Sequence, residues 1–240
     1  MLLSFTASRG PVNDQEYLEL FPTFYLMHTV GEDHSFGLDY SRRIVRPRFQ
    51  SLNPYQYFLN QNNYNVGNPN LQPSISNKIN FNYTYKNKLS FDLYWDRADG
   101  AMARLPFQDN ENRILRSATA NMIYDQQYSL DVMFFDYIQD WWYLYALSSF
   151  FFMENQFIAQ ESGNIAVKKD VLSTFLLAQN YFTISEDRTL TAELTGTFLP
   201  NILEGSYEFD EPQTVISAGL RKSFLDNRLV FTLNVDDIFN

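Results

Sequence analysis

Residues 78–85 read KINFNYTY, so Ile79, Phe81, Tyr83 and Tyr85 alternate with Lys78, Asn80, Asn82 and Thr84. Residues 89–96 repeat the pattern, with Leu89, Phe91, Leu93 and Trp95 set against Ser90, Asp92, Tyr94 and Asp96. Successive side chains of a strand point to opposite faces, so this period of two predicts two strands with one apolar and one polar face. The KNK between them predicts a tight hairpin turn. Leu190, Ala192, Leu194, Gly196 and Phe198 keep the same rhythm, as do Leu229, Phe231, Leu233 and Val235. Further strands are readable at 17–29, 35–44, 117–136, 141–153, 168–185 and 214–224. The total is about ten, and several exceed the five or six residues usual in soluble sheets. A strand crossing a bilayer needs about nine to eleven.

The connections between these strands alternate in length. Short ones fall near 30–33, 86–88, 137–140, 186–187 and 225–227; long ones fall near 45–74, 99–116, 154–167 and 199–213. In an up-and-down meander, alternate connections lie at opposite ends, so one end of the sheet carries tight turns and the other long loops. That asymmetry is the pattern of outer-membrane barrels, with short periplasmic turns and long extracellular loops. The pattern predicts an all-β, antiparallel, up-and-down transmembrane β-barrel in the cell outer membrane, with outer-membrane lipid against its apolar face. A complete small barrel acting as a protease-like enzyme or an adhesin is the alternative, and a soluble β-rich carbohydrate-binding domain is a third reading.

Composition agrees with the barrel. Aromatic residues reach 17%, with 22 Phe, 16 Tyr and 3 Trp, as expected where aromatic girdles sit at both membrane interfaces. The mean hydropathy of -0.32 and the lack of any apolar run of about 18 residues exclude a helical membrane span. A barrel strand averages to a polar hydropathy, so these values do not exclude a barrel. The absence of cysteine removes disulfides and thiolate metal sites. A net charge of -10 argues against a nucleic-acid partner. The opening MLLSFTASRGPVND lacks the basic and apolar regions of a secretory signal.

Five segments appear in order: LFPTFYL (20–26), YSRRIVRP (40–47), LNPY (52–55), GNPNLQPSISN (67–77) and VDDIFN (235–240). This set closely resembles the C-terminal barrel of TonB-dependent outer-membrane receptors, in the outer membrane protein β-barrel family. The resemblance implies a pore of about twenty-two strands plugged by a separate globular domain. It implies uptake of an extracellular ligand (siderophore, oligosaccharide, peptide or similar), driven by the TonB energy-transducing complex acting on the plug. About ten strands, no plug-like segment before Tyr17 and an ending without an aromatic-terminated strand depart from that pattern. The expectation is therefore a partial barrel spanning 17–240 behind a lead-in of 1–16.

Candidate chemistry is sparse, and no cofactor is expected. His28 and His34 are the only histidines; they lie at the short-turn end, away from the mouth where a barrel protease would hold its Asp and His. Glu204, Glu208, Asp210 and Glu211 lack the ligand order of a Ca²⁺ loop. Asp92, Asp96, Asp131 and Glu193 fall on the polar face, where a water-filled lumen accounts for them. Trp141 and Trp142 open a strand beside a short turn, the place for an aromatic girdle, whereas 148–153 (SSFFFM) interrupts the alternation. The loop 41–73 carries Arg42, Arg43, Arg46 and Arg48, whose guanidinium groups suit anionic ligands, and Tyr55, Tyr57 and Tyr64, which can stack on rings. Arg46, Arg48, Tyr55, Tyr57 and Tyr64 are the candidate ligand contacts. The prolines, Asn53 and Gly67 read as loop framework.

Overall fold

A computed structural model describes residues 19–160 and 163–239. The lead-in 1–16 and the start of the first expected strand at Tyr17 lie outside the described residues. In chain order the elements are β1 (Thr23–Val30), β2 (His34–Val45), a one-turn helix α1 (Phe49–Leu52), β3 (Gln56–Asn60), β4 (Asn63–Val66), β5 (Ser74–Tyr85), β6 (Leu89–Asp99), β7 (Met102–Asp109) and β8 (Ile114–Asn121). They continue with β9 (Tyr124–Gln139), β10 (Trp142–Ala159), β11 (Ile165–Thr183), β12 (Leu190–Leu199), β13 (Ile202–Glu204), β14 (Tyr207–Phe209), β15 (Gln213–Phe224) and β16 (Leu229–Val235). Among the described residues no helix is long and apolar enough to cross a membrane; the crossing elements are strands.

Ten strands form one antiparallel sheet in the order β1-β2-β5-β6-β9-β10-β11-β12-β15-β16, with β1 and β16 at its two edges. This is the predicted up-and-down meander. The register makes its two faces chemically distinct. Leu38, Phe81, Leu93, Leu130 and Phe150 are direct cross-strand partners in one row over five strands, and every one of them is exposed. A continuous exposed apolar row of this kind is what a lipid-facing barrel wall presents. One residue along, on the opposite face, the row reads Gly37, Asn82, Asp92, Asp131 and Ser149.

From Asn82 to Ser149 that second row is hydrogen-bonded. Asn82 Nδ2 donates to Asp92 Oδ1 at 2.9 Å, and the Oγ atoms of Ser129 and Ser149 each donate to Asp131 Oδ1 at 2.6 Å. Asp92 and Asp131 are directly opposed, an arrangement that costs energy unless each carboxylate finds donors. The carboxylates expected on the polar face are there, and the same register places Asp96 opposite Gln127 and Glu193 opposite Gly219.

The short-turn end carries the expected girdle. The His34 Nδ1 and Tyr83 hydroxyl share a 2.9 Å hydrogen bond, and the His34 ring packs on Tyr83 and Tyr85. His28 faces Phe36 across the β1–β2 pair. Trp142 Nε1 donates to Asn180 Oδ1 at 3.0 Å, and the Trp141 and Phe182 rings lie 6.0 Å apart.

The sequence reading differs from the structure in several places. The connection expected at 154–167 is mostly strand, because β10 runs on to Ala159 and β11 begins at Ile165, paired throughout. Outward-facing Glu154, Gln156, Lys168 and Asp170 lie on this extension, where the wall has left lipid. The strand expected over 117–136 is two strands, β8 and β9, broken at Met122 and Ile123. The segment 148–153 is unbroken strand: the one irregularity of the β9–β10 ladder is at Trp142/Tyr143. Its alternation fails because the large apolar Phe151 faces the lumen side yet is buried; segment 201–205 covers that side, where Ser173 Oγ donates to Asn201 O and Asn155 Nδ2 to Gly205 O, both at 2.6 Å. Lastly, the loop 41–73, expected without secondary structure, contains α1, β3 and β4, the connection expected near 99–116 contains β7 and the start of β8, and that expected near 199–213 contains β13 and β14.

Candidate functional site

The two loops expected to be longest build one structure. β3, β4, β8 and β7 form a four-stranded sheet in that order, in which β4 and β8 pair in parallel, Asn63 to Leu115 through Val66 to Ala118. Loop 46–73 and loop 100–123 are thereby joined into a single cap at the long-loop end. One face of the cap is apolar. Leu105, Phe107, Ala118, Ala120 and Met122 form a buried cluster with Phe157 of β10, and Val66 and Val167 pack against it. Phe157 and Val167 are partners on the lumen side of the β10–β11 extension. The cap therefore leans inward, over the space the wall partly encloses.

Asparagines hold the connections. The Asn53, Asn60 and Asn68 side chains accept from the backbone N–H two residues on, at 3.2, 2.9 and 3.0 Å, the short-range turn that this residue type favours. Asn121 spans three segments: its Oδ1 accepts from Gln72 N, and its Nδ2 donates to Gln72 O and Gly100 O, each at 2.8 Å. Gly67 is required by close approach, since a Cβ there would lie 2.1 Å from Asn53 O. At the β7–β8 tip, the Asn112 side chain and the backbone N–H groups of Glu111 and Asn112 bond Asp109 and hold its carboxyl below the usual carboxylate range.

The opposite face of the cap is polar and open. Tyr57 pairs with Asn65, Asn65 with Ser117, and Thr119 with Arg104, so these side chains share a face. They line a pocket of about 610 Å³ with Tyr55 and Asn53. Arg104 donates to Asn65 Oδ1. Tyr55 and Tyr57 are 73% and 63% exposed, so their rings are available to a visitor. The arrangement offers two phenol rings, one guanidinium and several amide and hydroxyl groups. It suits a ligand with planar groups and many acceptors. Among the described residues, no three His, Cys, Asp or Glu side chains are grouped to hold a metal ion.

Of the five candidate contacts, Tyr55 and Tyr57 are brought together at this pocket. Arg46 and Arg48 lie on the exposed link between β2 and α1 and do not line it; the Arg48 carbonyl instead accepts from Ser51 N at 2.9 Å. Tyr64 is on the other face, its ring 5.4 Å from that of Phe58. Arg42 belongs to β2 and pairs with Glu19 at 2.8 Å. Arg104 was not anticipated from the sequence. The alternation of MARLPFQD was available, but Pro106 argues against a paired strand and conceals it.

A meandering sheet with an exposed apolar face, a polar opposite face and loops gathered at its long-loop end defines part of the wall of an outer-membrane β-barrel. The outer membrane protein beta-barrel family model matches residues 4–240, and the chain belongs to that family, which places it in the cell outer membrane. Among curated proteins no sequence matches it. Among solved structures, the siderophore receptor PirA from Pseudomonas aeruginosa is similar at a TM-score of 0.66 and 14% identity, covering 91% of this chain and 38% of that one. A variant of the ferric enterobactin receptor PfeA from the same organism, in complex with enterobactin, is similar at a TM-score of 0.60 and 17% identity, covering 91% and 35%. The chain thus spans little more than a third of the length of these receptors.

Proposed function

We propose that residues 17–240 are part of the wall of a TonB-dependent receptor that imports an extracellular metal chelate, and that the polar face of the cap contacts it. The observation that carries this reading is the open sheet. β1 and β16 are sheet edges, and a membrane wall cannot leave strand edges unpaired in lipid, so the barrel needs further strands. A closed ten-stranded enzyme or adhesin would pair β1 with β16. The receptor reading adds a plug domain elsewhere in the protein, coupled to the TonB energy-transducing complex, and assigns this chain no catalytic step. The siderophore receptors of the same fold support a ferric chelate as the cargo, and Tyr55, Tyr57 and Arg104 supply stacking and charge-assisted donors suited to one.

The test uses the full-length receptor and a panel of ferric siderophores, including ferric enterobactin, in binding and uptake assays. Tyr57→Ala combined with Arg104→Ala is expected to weaken binding of the transported chelate by about 1.5–3 kcal/mol, roughly ten- to a hundredfold. Arg48→Ala, off the pocket, should change affinity less than about threefold. Unchanged affinity in the double variant would overturn the assignment.

A further inference from the structure

The short-turn end holds a second pocket, on the lipid-facing side between two neighbouring turns. It lies between the β9–β10 turn and the β11–β12 turn, has a volume of about 670 Å³, and is lined by Asp140, Trp141, Phe182, Ile184, Glu186 and Arg188 among others. Trp141 and Ile184 are more than half exposed. The Trp141 ring stacks 6.2 Å from Trp142 and lies 6.0 Å from Phe182, so the pocket has an aromatic floor. Thr183 N donates to Trp141 O at 2.7 Å and fixes one turn against the other.

The mouth is charged with both signs. Asp140, Glu186 and Arg188 form no ion pair among the described residues. At nearby turns the charges satisfy one another instead: Lys86 faces Asp33 at 3.9 Å and Lys88 meets Asp136 at 2.5 Å. The tip is also rigid. Asp187 accepts from Ser185 Oγ at 2.5 Å, Thr189 Oγ1 at 2.7 Å and Thr189 N at 3.1 Å. Its carboxylate is consumed in shaping the turn, which leaves Glu186 and Arg188 exposed on either side of it.

Directly up the lipid-facing wall from this notch, Ala146, Ala178 and Gly196 are cross-strand partners in a single row. Three small residues in line make a shallow depression between larger outward side chains such as Leu144 and Leu194 below and Leu176 and Phe198 above.

We propose that the notch is a headgroup site for a zwitterionic glycerophospholipid carrying a primary ammonium, such as phosphatidylethanolamine, in the periplasmic leaflet. The ammonium sits between the Asp140 and Glu186 carboxylates, the phosphate meets the Arg188 guanidinium and the Trp141 indole N–H, and an acyl chain lies along the Ala146–Ala178–Gly196 depression. Two carboxylates against one guanidinium give the mouth a net negative charge, which disfavours an anionic headgroup. A choline headgroup fills the same volume but has no N–H to donate.

The test is native mass spectrometry of the full-length receptor released from mixed micelles holding equal amounts of phosphatidylethanolamine, phosphatidylcholine and phosphatidylglycerol. Phosphatidylethanolamine is expected to be retained on the order of tenfold more than either competitor. Asp140→Asn with Arg188→Gln should abolish that preference, whereas Lys86→Gln at the neighbouring turn should preserve it. Equal retention of the three lipids, a preference for phosphatidylglycerol, or a preference that survives the double variant would overturn the proposal.

Discussion

Replacing Val132 by Arg tests the membrane assignment most directly, because a soluble sheet and a barrel wall give opposite answers. On β10 the apolar outward positions run from Trp142 to Phe152, ten residue steps; at ~3.3 Å per step and a tilt near 40° they cover about 25 Å, the height of a barrel's lipid belt. Val132 is the partner of Ser148 on β10 and of Phe91 on β6, which puts it roughly 3 Å from the middle of that belt. Leu172 is the partner of Phe152, at the upper edge, and the next outward residue along β11 is Asp170. An Arg near the midplane of a barrel costs about 2–4 kcal/mol, whereas one near the interface costs ~0–1. Val132→Arg should therefore lower the folded-to-unfolded ratio on the order of 30- to 1000-fold, and Leu172→Arg less than about tenfold. Denaturant titration of the full-length protein in lipid vesicles reads the difference. In a soluble protein the comparison would not follow depth: Leu172, 74% exposed, and the partly exposed Val132 would both fall near the ±0.5 kcal/mol of surface changes. Equal costs at the two sites would refute the belt.

Three further outcomes are expected. Gly67→Ala places a Cβ against the Asn53 backbone and should open the cap, read as faster protease cleavage within 46–73 while the wall stays protected. Gly219→Ala meets only the flexible Glu193 side chain, so stability should change by less than about 1 kcal/mol; a larger loss would mean that Glu193 cannot move. The Asp187 carboxyl, bonded by Ser185 and then Thr189, has its pKa lowered to about 2. A lowered native pKa contributes stability that is present above the unfolded value, ~3.9, and is lost as pH falls through about 2. Asp187→Asn should therefore flatten the acid limb of the stability curve over that window, and an unaltered limb would sink the assignment.

Legibility in the sequence followed the environment of each strand. β5, β6, β12 and β16 could be read because lipid lies against one face and water against the other, which imposes a strict period of two. The outer part of β10 could not, because Glu154 and Gln156 occupy outward positions once the strand has risen beyond the lipid, and of β11 only the first residues, Ile165 to Val167, escaped the reading. The cap strands β3 and β4 were hidden for another reason. QYFLN and NYNV are short and surrounded by asparagine and proline, and the partner that makes β4 a strand, β8, lies about fifty residues further on. Tyr55 and Tyr57 were found as exposed aromatics in a long loop. Arg104 was missed because its place in the pocket depends on the pairing of β7 with β8 and of β8 with β4, which no local pattern records.

The parallel pairing of β4 with β8 has a consequence for the order of assembly. Each strand belongs to a different excursion from the sheet, and neither can find the other until the β2–β5 and β6–β9 ladders have brought the two loops side by side. Contacts between such distant segments close late, because the entropy of two long loops must be lost before any of them forms. The cap is therefore the last region to mature, and a barrel inserted with misregistered strands would lack it. Reactivity with a reagent specific for the finished cap would then report on the correctness of the wall beneath.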